Sequence, residues 1–349
     1  PCNITHSYYC YFYHFDNSFY TINNNSSMKK KFKFSKDQDL SIKYINFFDI
    51  KNYTLRDKIR DYYDLIVRRP FFTIKYNNLF KNQNYDIDVV LPAKGFSTLA
   101  RRKKIDNLKK IKNKCILNIG CGNAFDYHLW FKFKPKKIVG VDVLNYNSSW
   151  KQVEKFVKLK KIKTKVEFYK QDFTKFKYNT KFDFIVSDAV FEHCKDFSKV
   201  IKHCSKFLKK DGILYSSYGG PMWLTYAGDH FSGRDNQNNG YNHLLLSKKK
   251  YQKYFNKNVR SLNYELNEGG GGGVLVQNNL FSKLNGNEYM KIFKKNKFIP
   301  IKTYVEFCPT GYKLINQNNK LKEKLIKKNP MIHEENYYLK THIVYLKKK

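Results

Sequence analysis

The chain has 349 residues, of which 42% are hydrophobic and 28% charged, so it carries enough apolar material to build a core and wholesale disorder is excluded. No uncharged apolar run reaches about 18 residues, because Lys interrupts each hydrophobic stretch, and no membrane-spanning helix is expected. The net charge is +38, yet 59 of the 67 basic residues are Lys and only 8 are Arg, whereas Arg is the residue preferred for bidentate phosphate and base recognition. Lys, Asn, Ile, Phe and Tyr are abundant together and their codons are A/T-rich, which makes genome composition a stronger source of the charge than a polyanionic partner.

Residues 1–27 are polar, aromatic and Asn-rich with weak periodicity, and Met28-Lys29-Lys30-Lys31 looks like a natural start. They read as a poorly ordered leader, with no basic segment followed by an apolar run that would mark a secretory signal. Residues 28–112 carry helical patterns and read as an N-terminal extension or lid. Leu55, Ile59, Tyr62, Tyr63 and Ile66 form one stripe, and 96–111 forms a second helix with Leu99, Ile105, Leu108 and Ile111 apolar.

From Cys115 short apolar runs alternate with helical stretches. The runs are 116–119, 137–141, 166–169, 182–186 and 213–217, and the helices between them fall near 125–132, 149–160 and 197–209. Runs apolar on both faces that alternate with helices predict a mostly parallel α/β sheet over 113–349. Residues 218–290 read as an active-site loop and acceptor-binding insertion, with a helix at 247–256 and five consecutive glycines at 269–273. Two late strands, 299–307 and 338–346, suit an antiparallel edge hairpin. The seven Cys are odd in number and include no C-x-x-C pair, which fits a reducing cytoplasm and argues against a disulfide scaffold or a structural zinc site.

The most informative stretch is Ile116-Leu117-Asn118-Ile119-Gly120-Cys121-Gly122-Asn123-Ala124. A strand ends and a G-x-G turn leads into a helix, where glycine lets backbone pass close to a ligand and the helix N-terminus offers free N–H groups. Asp142, followed by Val143, closes the next strand 20 residues after Gly122, where a carboxylate can accept from both ribose hydroxyls. Gln171-Asp172-Phe173 follows the third strand and Ser187-Asp188 the fourth. One such Asp is as readily a turn or cap residue; four successive strand ends carrying Gly, Asp, Asp and Asp point to a ligand at the carboxyl edge.

Taken with Val139-Gly140-Val141-Asp142, the 182–188 strand, Asp188-Ala189-Val190-Phe191-Glu192-His193-Cys194-Lys195-Asp196 and Lys209-Lys210-Asp211-Gly212-Ile213-Leu214, the chain resembles the class I S-adenosylmethionine-dependent methyltransferases, closest to the ubiquinone-biosynthesis-like group. The resemblance spans about 100–220. It implies a Rossmann-like sheet, S-adenosyl-L-methionine as cofactor, and a cofactor site on Asn118, Gly120, Cys121, Gly122, Asp142, Val143, Gln171, Asp172, Phe173, Ser187 and Asp188. Asn118 stands where the group usually has Asp or Glu, and Ala124 replaces a third glycine.

Methyl transfer to a hydroxyl is helped by a base. The segment after the fifth strand offers His230 and Asp229, with His193 a rival; Trp223, Tyr226, Phe231 and His243 are candidates to wall an acceptor. No metal-ligand spacing is present, so metal-independent transfer is expected. The Asn/Asp-Pro-Pro-aromatic motif of nucleic-acid amino-methyltransferases is absent. The Gly-Gly-Pro-Met-Trp…Gly-Asp-His stretch faintly resembles methyltransferases of bacterial polysaccharide clusters, and a guanine tract encoding 269–273 would fit a switched surface-carbohydrate gene. The expectation is a cytoplasmic O-methyltransferase of a sugar, with a small-molecule or nucleotide-sugar acceptor. An RNA methyltransferase using the basic surface, or a silent cofactor-binding scaffold that Asn118 leaves open, are the alternatives.

Overall fold

The computed structural model describes residues 39, 41, 55–63, 66–67, 87–93, 95–233, 236–258 and 279–349. The expected leader at 1–27, most of the extension and the five-glycine run lie outside the described residues.

The apolar runs become strands because each can bury both faces. β2 (Cys115–Ile119), β3 (Lys137–Asp142), β4 (Lys165–Lys170), β5 (Phe182–Asp188) and β6 (Leu208–Tyr218) are the five expected strands, and β7 (Phe298–Phe307) and β8 (Leu339–Lys348) are the two late ones. They join one eight-stranded sheet in the order β1-β7-β8-β6-β5-β2-β3-β4. Only β8 runs antiparallel, between β6 and β7. β7 and β8 form the expected antiparallel pair at this end of the sheet, and β1 (Val89–Pro92), a strand from the region read as helical, adds parallel to β7 outside them. Pro92 is tolerated there because an edge strand leaves one row of N–H groups unpaired.

Alternation along each strand sorts the core into two layers. Leu117, Val139, Ile185, Leu214 and Val344 face one side with Val200, Ile201 and Cys204 of α5 (Phe197–Phe207) and Tyr289 and Phe293 of α8 (Gly286–Lys295). Ile116, Ile138, Phe184, Ile213 and Ile343 face the other, with Ile105 of α2 (Thr98–Leu108), Trp130 of α3 (Tyr127–Phe131) and Trp150 and Val153 of α4 (Asn147–Leu159). Ser97 caps α2 by accepting from the Ala100 N–H at 3.1 Å. The 55–66 stripe is found on α1 (Leu55–Tyr63) and beyond it, with Leu55, Ile59 and Tyr62 exposed. No described helix is long and apolar enough to cross a membrane.

Within the insertion, α6 (Asn242–Leu245) and α7 (Lys248–Asn258) follow the loop; α9 (Pro309–Gln317) and α10 (Asn319–Lys328) lie between β7 and β8.

Candidate functional site

The helix after β2 packs on one face of the sheet and the helix after β5 on the other. These two strands are adjacent and parallel, so their following loops part at the carboxyl edge and leave a crevice, the usual ligand position in open α/β sheets. The expected glycine turn and acidic tips of β2, β3, β4 and β5 all lie on this rim.

The β2 loop is held by main chain from its neighbour: the Gly120 N–H donates to Val141 O at 2.8 Å. Trp150 of α4 donates its indole N–H to Gly122 O at 2.7 Å. Gly122 has φ +51, in the left-handed region, and a Cβ built on it would meet nothing within 4 Å. Its half-buried amide donates to Asp142 Oδ2 at 2.9 Å, while Asp142 Oδ1 accepts from the Leu144 N–H at 2.8 Å. Burial pushes the Asp142 carboxyl above the ordinary carboxylate range, and these amides pull it back. Asp142 is thus oriented by backbone donors on both of its oxygens.

Asn118 is buried and donates to Tyr127 Oη at 3.4 Å. The Cys121 thiol is buried, and burial raises its pKa strongly. Val143 is half exposed. Gln171 donates its amide to Asp142 O at 2.7 Å, and its exposed side chain reaches Lys175 O. Asp172 is exposed and caps the turn at Phe173–Lys175, accepting from the Thr174 N–H at 2.8 Å and its hydroxyl at 2.9 Å. The ring of Phe173 points into the core against Phe176, His203 and Phe207, which leaves its main chain rather than its side chain at the rim.

At the tip of β5, Ser187 is fully buried and its hydroxyl has no hydrogen-bond partner among the described residues. A polar atom left unsatisfied in such a place is a cost unless a ligand meets it. Asp188 accepts from the Tyr215 hydroxyl at 2.8 Å and lies 3.7 Å from the Arg102 guanidinium. Burial raises its pKa while Arg102 opposes the rise.

Arg102 was not anticipated from the sequence. It is 1% exposed, donates to Asp126 O at 2.8 Å and to the Asp126 carboxylate, and lies 4.0 Å over the Trp130 ring. Its neighbour Arg101 donates to Ser217 Oγ at 2.6 Å and Glu306 Oε1 at 2.9 Å. Through these two arginines α2 ties together the carboxyl ends of β5, β6 and β7 and the start of α3. Their rarity in a Lys-dominated chain was the available signal.

Beyond β6 the segment 219–233 and the stretch from 279 form an aromatic cluster. His193 and His230 face each other with ring centroids 5.4 Å apart, and Phe281 lies 5.4 Å from the first and 6.2 Å from the second. Trp223 lies 4.8 Å from Phe281 and 5.2 Å from His243. His193 Nδ1 sits 2.8 Å from Leu280 O. A carbonyl can only accept, so Nδ1 carries the hydrogen and Nε2 keeps its lone pair. Burial, reinforced by His230, lowers the His193 pKa to about 3, so the ring is neutral. His230 adopts φ +60, in the left-handed region.

The structure places four of the expected catalytic or acceptor residues differently. Asp229 is fully buried and receives the N–H groups of Phe231 and Ser232 and the hydroxyls of Ser232 and Tyr251, so it fastens the loop. Tyr226 packs inward against Gly240 and Tyr241. Phe231 is fully buried against Tyr254 and Phe255. His243 is buried, donates Nε2–H to Trp223 O at 2.8 Å, and supports the tryptophan from behind. His193, His230 and Trp223 are the ones brought together. Among the described residues no group of three His, Cys, Asp or Glu side chains could hold a metal ion.

This geometry suits an adenosyl cofactor: an open glycine cradle, a backbone-oriented carboxylate and an unpaired buried hydroxyl sit along one crevice. Residues 110–297 match the family model described as "Methyltransferase domain". The chain is 34% identical over 109 residues to a ubiquinone biosynthesis O-methyltransferase of Pelagibacter ubique, covering 31% of this chain and 42% of the relative. It is 25% identical over 152 residues to a malonyl-acyl-carrier-protein O-methyltransferase of Acetivibrio thermocellus, covering 43% and 50%. The chain therefore spans half or less of the length of these curated relatives. Among solved structures, an S-adenosylmethionine-dependent methyltransferase from Mesorhizobium loti aligns with TM-score 0.43 and 14% identity over 71% of this chain and 96% of the other.

Proposed function

The chain belongs to the methyltransferase-domain family, as a class I S-adenosylmethionine-dependent methyltransferase, and from that premise we propose that it methylates a hydroxyl of a sugar or sugar-linked metabolite. The observation that carries this reading is the neutral His193 imidazole, fixed in one tautomer beside His230 and set in the Phe281–Trp223 aromatic cluster. S-adenosylmethionine, when bound, supplies a methyl group already activated by the positive sulfonium. The Gly120–Gly122 main chain, Asp142, Ser187 and Asp188 would hold it, Asp142 by accepting from ribose hydroxyls and Ser187 through its spare hydroxyl.

The protein's remaining work is to orient the acceptor and exclude water. Orientation alone can lower a barrier by about 7–11 kcal/mol. His193 Nε2, with its lone pair free, accepts a hydrogen bond from the acceptor hydroxyl and orients it, and the hydroxyl proton passes to solvent as the methyl group is transferred. Flat aromatic surfaces such as Trp223 suit the C–H face of a sugar ring. The proposed setting, surface-polysaccharide biosynthesis, rests on the sequence resemblance of 219–230 alone.

The test is calorimetry with S-adenosylhomocysteine, then transfer of labelled methyl to a panel of nucleotide sugars. His193→Gln should lower turnover by about tenfold and leave S-adenosylhomocysteine affinity unchanged. Transfer that is unaffected by the substitution would remove the orienting role. RNA held by the basic surface is the alternative acceptor. In that case binding should weaken along a steep log–log salt slope, whereas a small acceptor gives a shallow one.

A further inference from the structure

The first N–H groups of a helix have no carbonyl within the helix to donate to, and a short oxygen-bearing side chain at the N-cap usually accepts from them. The N-cap of α4 is Tyr146, whose side chain makes no cap hydrogen bond among the described residues. The Asn147 N–H is met locally, by Asn145 Oδ1 at 3.1 Å. The next two are met from 109 and 108 positions earlier in the chain. The Ser148 N–H donates to Asp39 Oδ2 at 3.1 Å and the Ser149 N–H to Ser41 Oγ at 2.8 Å. The Ser148 hydroxyl adds a bond to the same Asp39 oxygen at 2.6 Å. The other Asp39 oxygen accepts from the Ser41 N–H at 2.9 Å, which fixes the two capping residues relative to each other. A parallel bridge between Asp39 and Asn145 holds the backbone beside them. A carboxylate at this end of a helix is also favoured by the helix dipole.

What this cap holds is the glycine turn. Trp150 is the next residue of α4. Its main-chain N–H reaches Tyr146 O at 2.9 Å, its indole N–H donates to Gly122 O at 2.7 Å, and its ring stacks on Phe168 of β4 at 5.3 Å. The Gly122 amide donates in turn to Asp142, and Asp142 accepts from Leu144, the residue before Asn145. The contacts therefore close into a ring that runs from Asp39 and Ser41 through α4, Trp150, Gly122 and Asp142 and returns by Asn145 to Asp39. Unfastening the first turn of α4 would free Trp150 to leave the Gly122 carbonyl, and the turn would lose one of its two outside supports.

We infer that Asp39 and Ser41 are positioning residues for the cofactor: they cap α4 in place of its own N-cap and so hold Trp150 against the glycine turn that receives S-adenosylmethionine. They act through Trp150 and Gly122. The inference rests on the cofactor placement proposed above and is independent of the acceptor. It gives two residues of the N-terminal extension a part in cofactor affinity.

The experiment compares the full chain with an Asp39→Ala/Ser41→Ala variant by two measurements. One is S-adenosylhomocysteine affinity by calorimetry. The other is hydrogen exchange of the Trp150 indole proton in the cofactor-free chain, followed by NMR with Trp150→Phe to assign the resonance. The double variant should bind S-adenosylhomocysteine at least about fivefold more weakly and exchange the indole proton at least about fivefold faster. Asp39→Asn/Ser41→Thr keeps an acceptor at both positions and should bring both quantities back to within about twofold of wild type. Asn318→Ala removes the cap that α10 receives at Leu321 and should leave both within about twofold. If the double variant does not fold, Ser41→Ala alone should show both effects in smaller size. An affinity unchanged by the alanine substitutions, whatever the indole proton does, would overturn the inference. So would an equal loss of affinity in Asn318→Ala. A wild type that does not bind S-adenosylhomocysteine, while indole exchange still responds to the caps, would instead undo the cofactor placement, so the two failures are distinct.

Discussion

Replacing Asp142 by Asn tests the rim most directly, because the two side chains are nearly isosteric and differ in what their second atom can do. In the wild type, Oδ1 accepts from Leu144 N–H and Oδ2 from Gly122 N–H, at 2.8 and 2.9 Å. An Asn side chain has one acceptor and one donor group. Whichever way the amide is turned, its NH₂ meets one of these backbone donors, so one bond is lost and one half-buried N–H is left unpaired. The expected cost is about 1–3 kcal/mol of stability, measurable as a shift of the urea midpoint at constant slope. The variant also loses the charged acceptor proposed to meet the ribose hydroxyls. Charge-assisted bonds are worth about 1.5–3 kcal/mol each, so S-adenosylhomocysteine affinity should fall by about 10- to 100-fold. In the wild type, ligand at 100 times Kd should add about 2.7 kcal/mol of stability, and most of that increment should vanish in Asp142→Asn. An affinity within twofold of wild type would refute the reasoning, since it would place the cofactor away from this carboxylate.

Three further outcomes follow from the structure. His193 and His342 each have a folded pKa near 3 against an ordinary 6.5, chiefly through burial; the unfolded chain then binds more protons below 6.5, so stability should drop on acidification by about 1.4 kcal/mol per pH unit for each group. A His193→Gln/His342→Gln variant should show a visibly flatter curve of unfolding free energy between pH 6.5 and 4, and an unchanged curve would contradict their burial as neutral rings. Gly228→Ala should cost more than about 3 kcal/mol, because a Cβ there collides with the Met222 carbonyl oxygen, and a melting temperature equal to wild type would count against the described loop. Burial raises the thiol pKa of Cys121 and Cys204 strongly and that of Cys194 to about 12; under native conditions at pH 8 iodoacetamide should spare these three while urea exposes them, with peptide mass mapping as the readout.

The strands were legible because a parallel sheet buried on both sides demands runs such as Phe184-Ile185-Val186 that polar loops cannot imitate. The pieces that escaped are those whose environment is non-local. Val89–Pro92 is only four residues long, and what makes it a strand is Val305 and its neighbours, more than 200 residues away. Helices α9 and α10 carry few apolar residues; Ile315 and Leu325 alone are their fully buried large side chains, too sparse a stripe to stand out from a Lys- and Asn-rich loop.

The site divides along the same line. Gly122 and Asp142 could be read because their chemistry is local: a left-handed turn, then a carboxylate at the next strand tip that meets the turn's amide. Asp172 shows how far such reading reaches, since its local cap to Thr174 fully uses one oxygen whatever the ligand does. An aromatic residue in a loop carries no local sign of whether it walls a pocket or fills a core. Tyr226 proved to be core only because the glycines at 233 and 240 approach its ring and Gly311 its Cβ, whereas Trp223, two residues past the end of a Gly-Gly-Pro turn, remained at the cluster. Arg101 and Arg102 were the least legible of all. Arg101 bridges partners 116 and 205 residues away, and beyond the rarity of Arg in this chain nothing in the local sequence of α2 points to those partners. Their substitution by Lys should therefore be poorly tolerated even though charge is conserved, because one ammonium cannot span two acceptors as the planar guanidinium does.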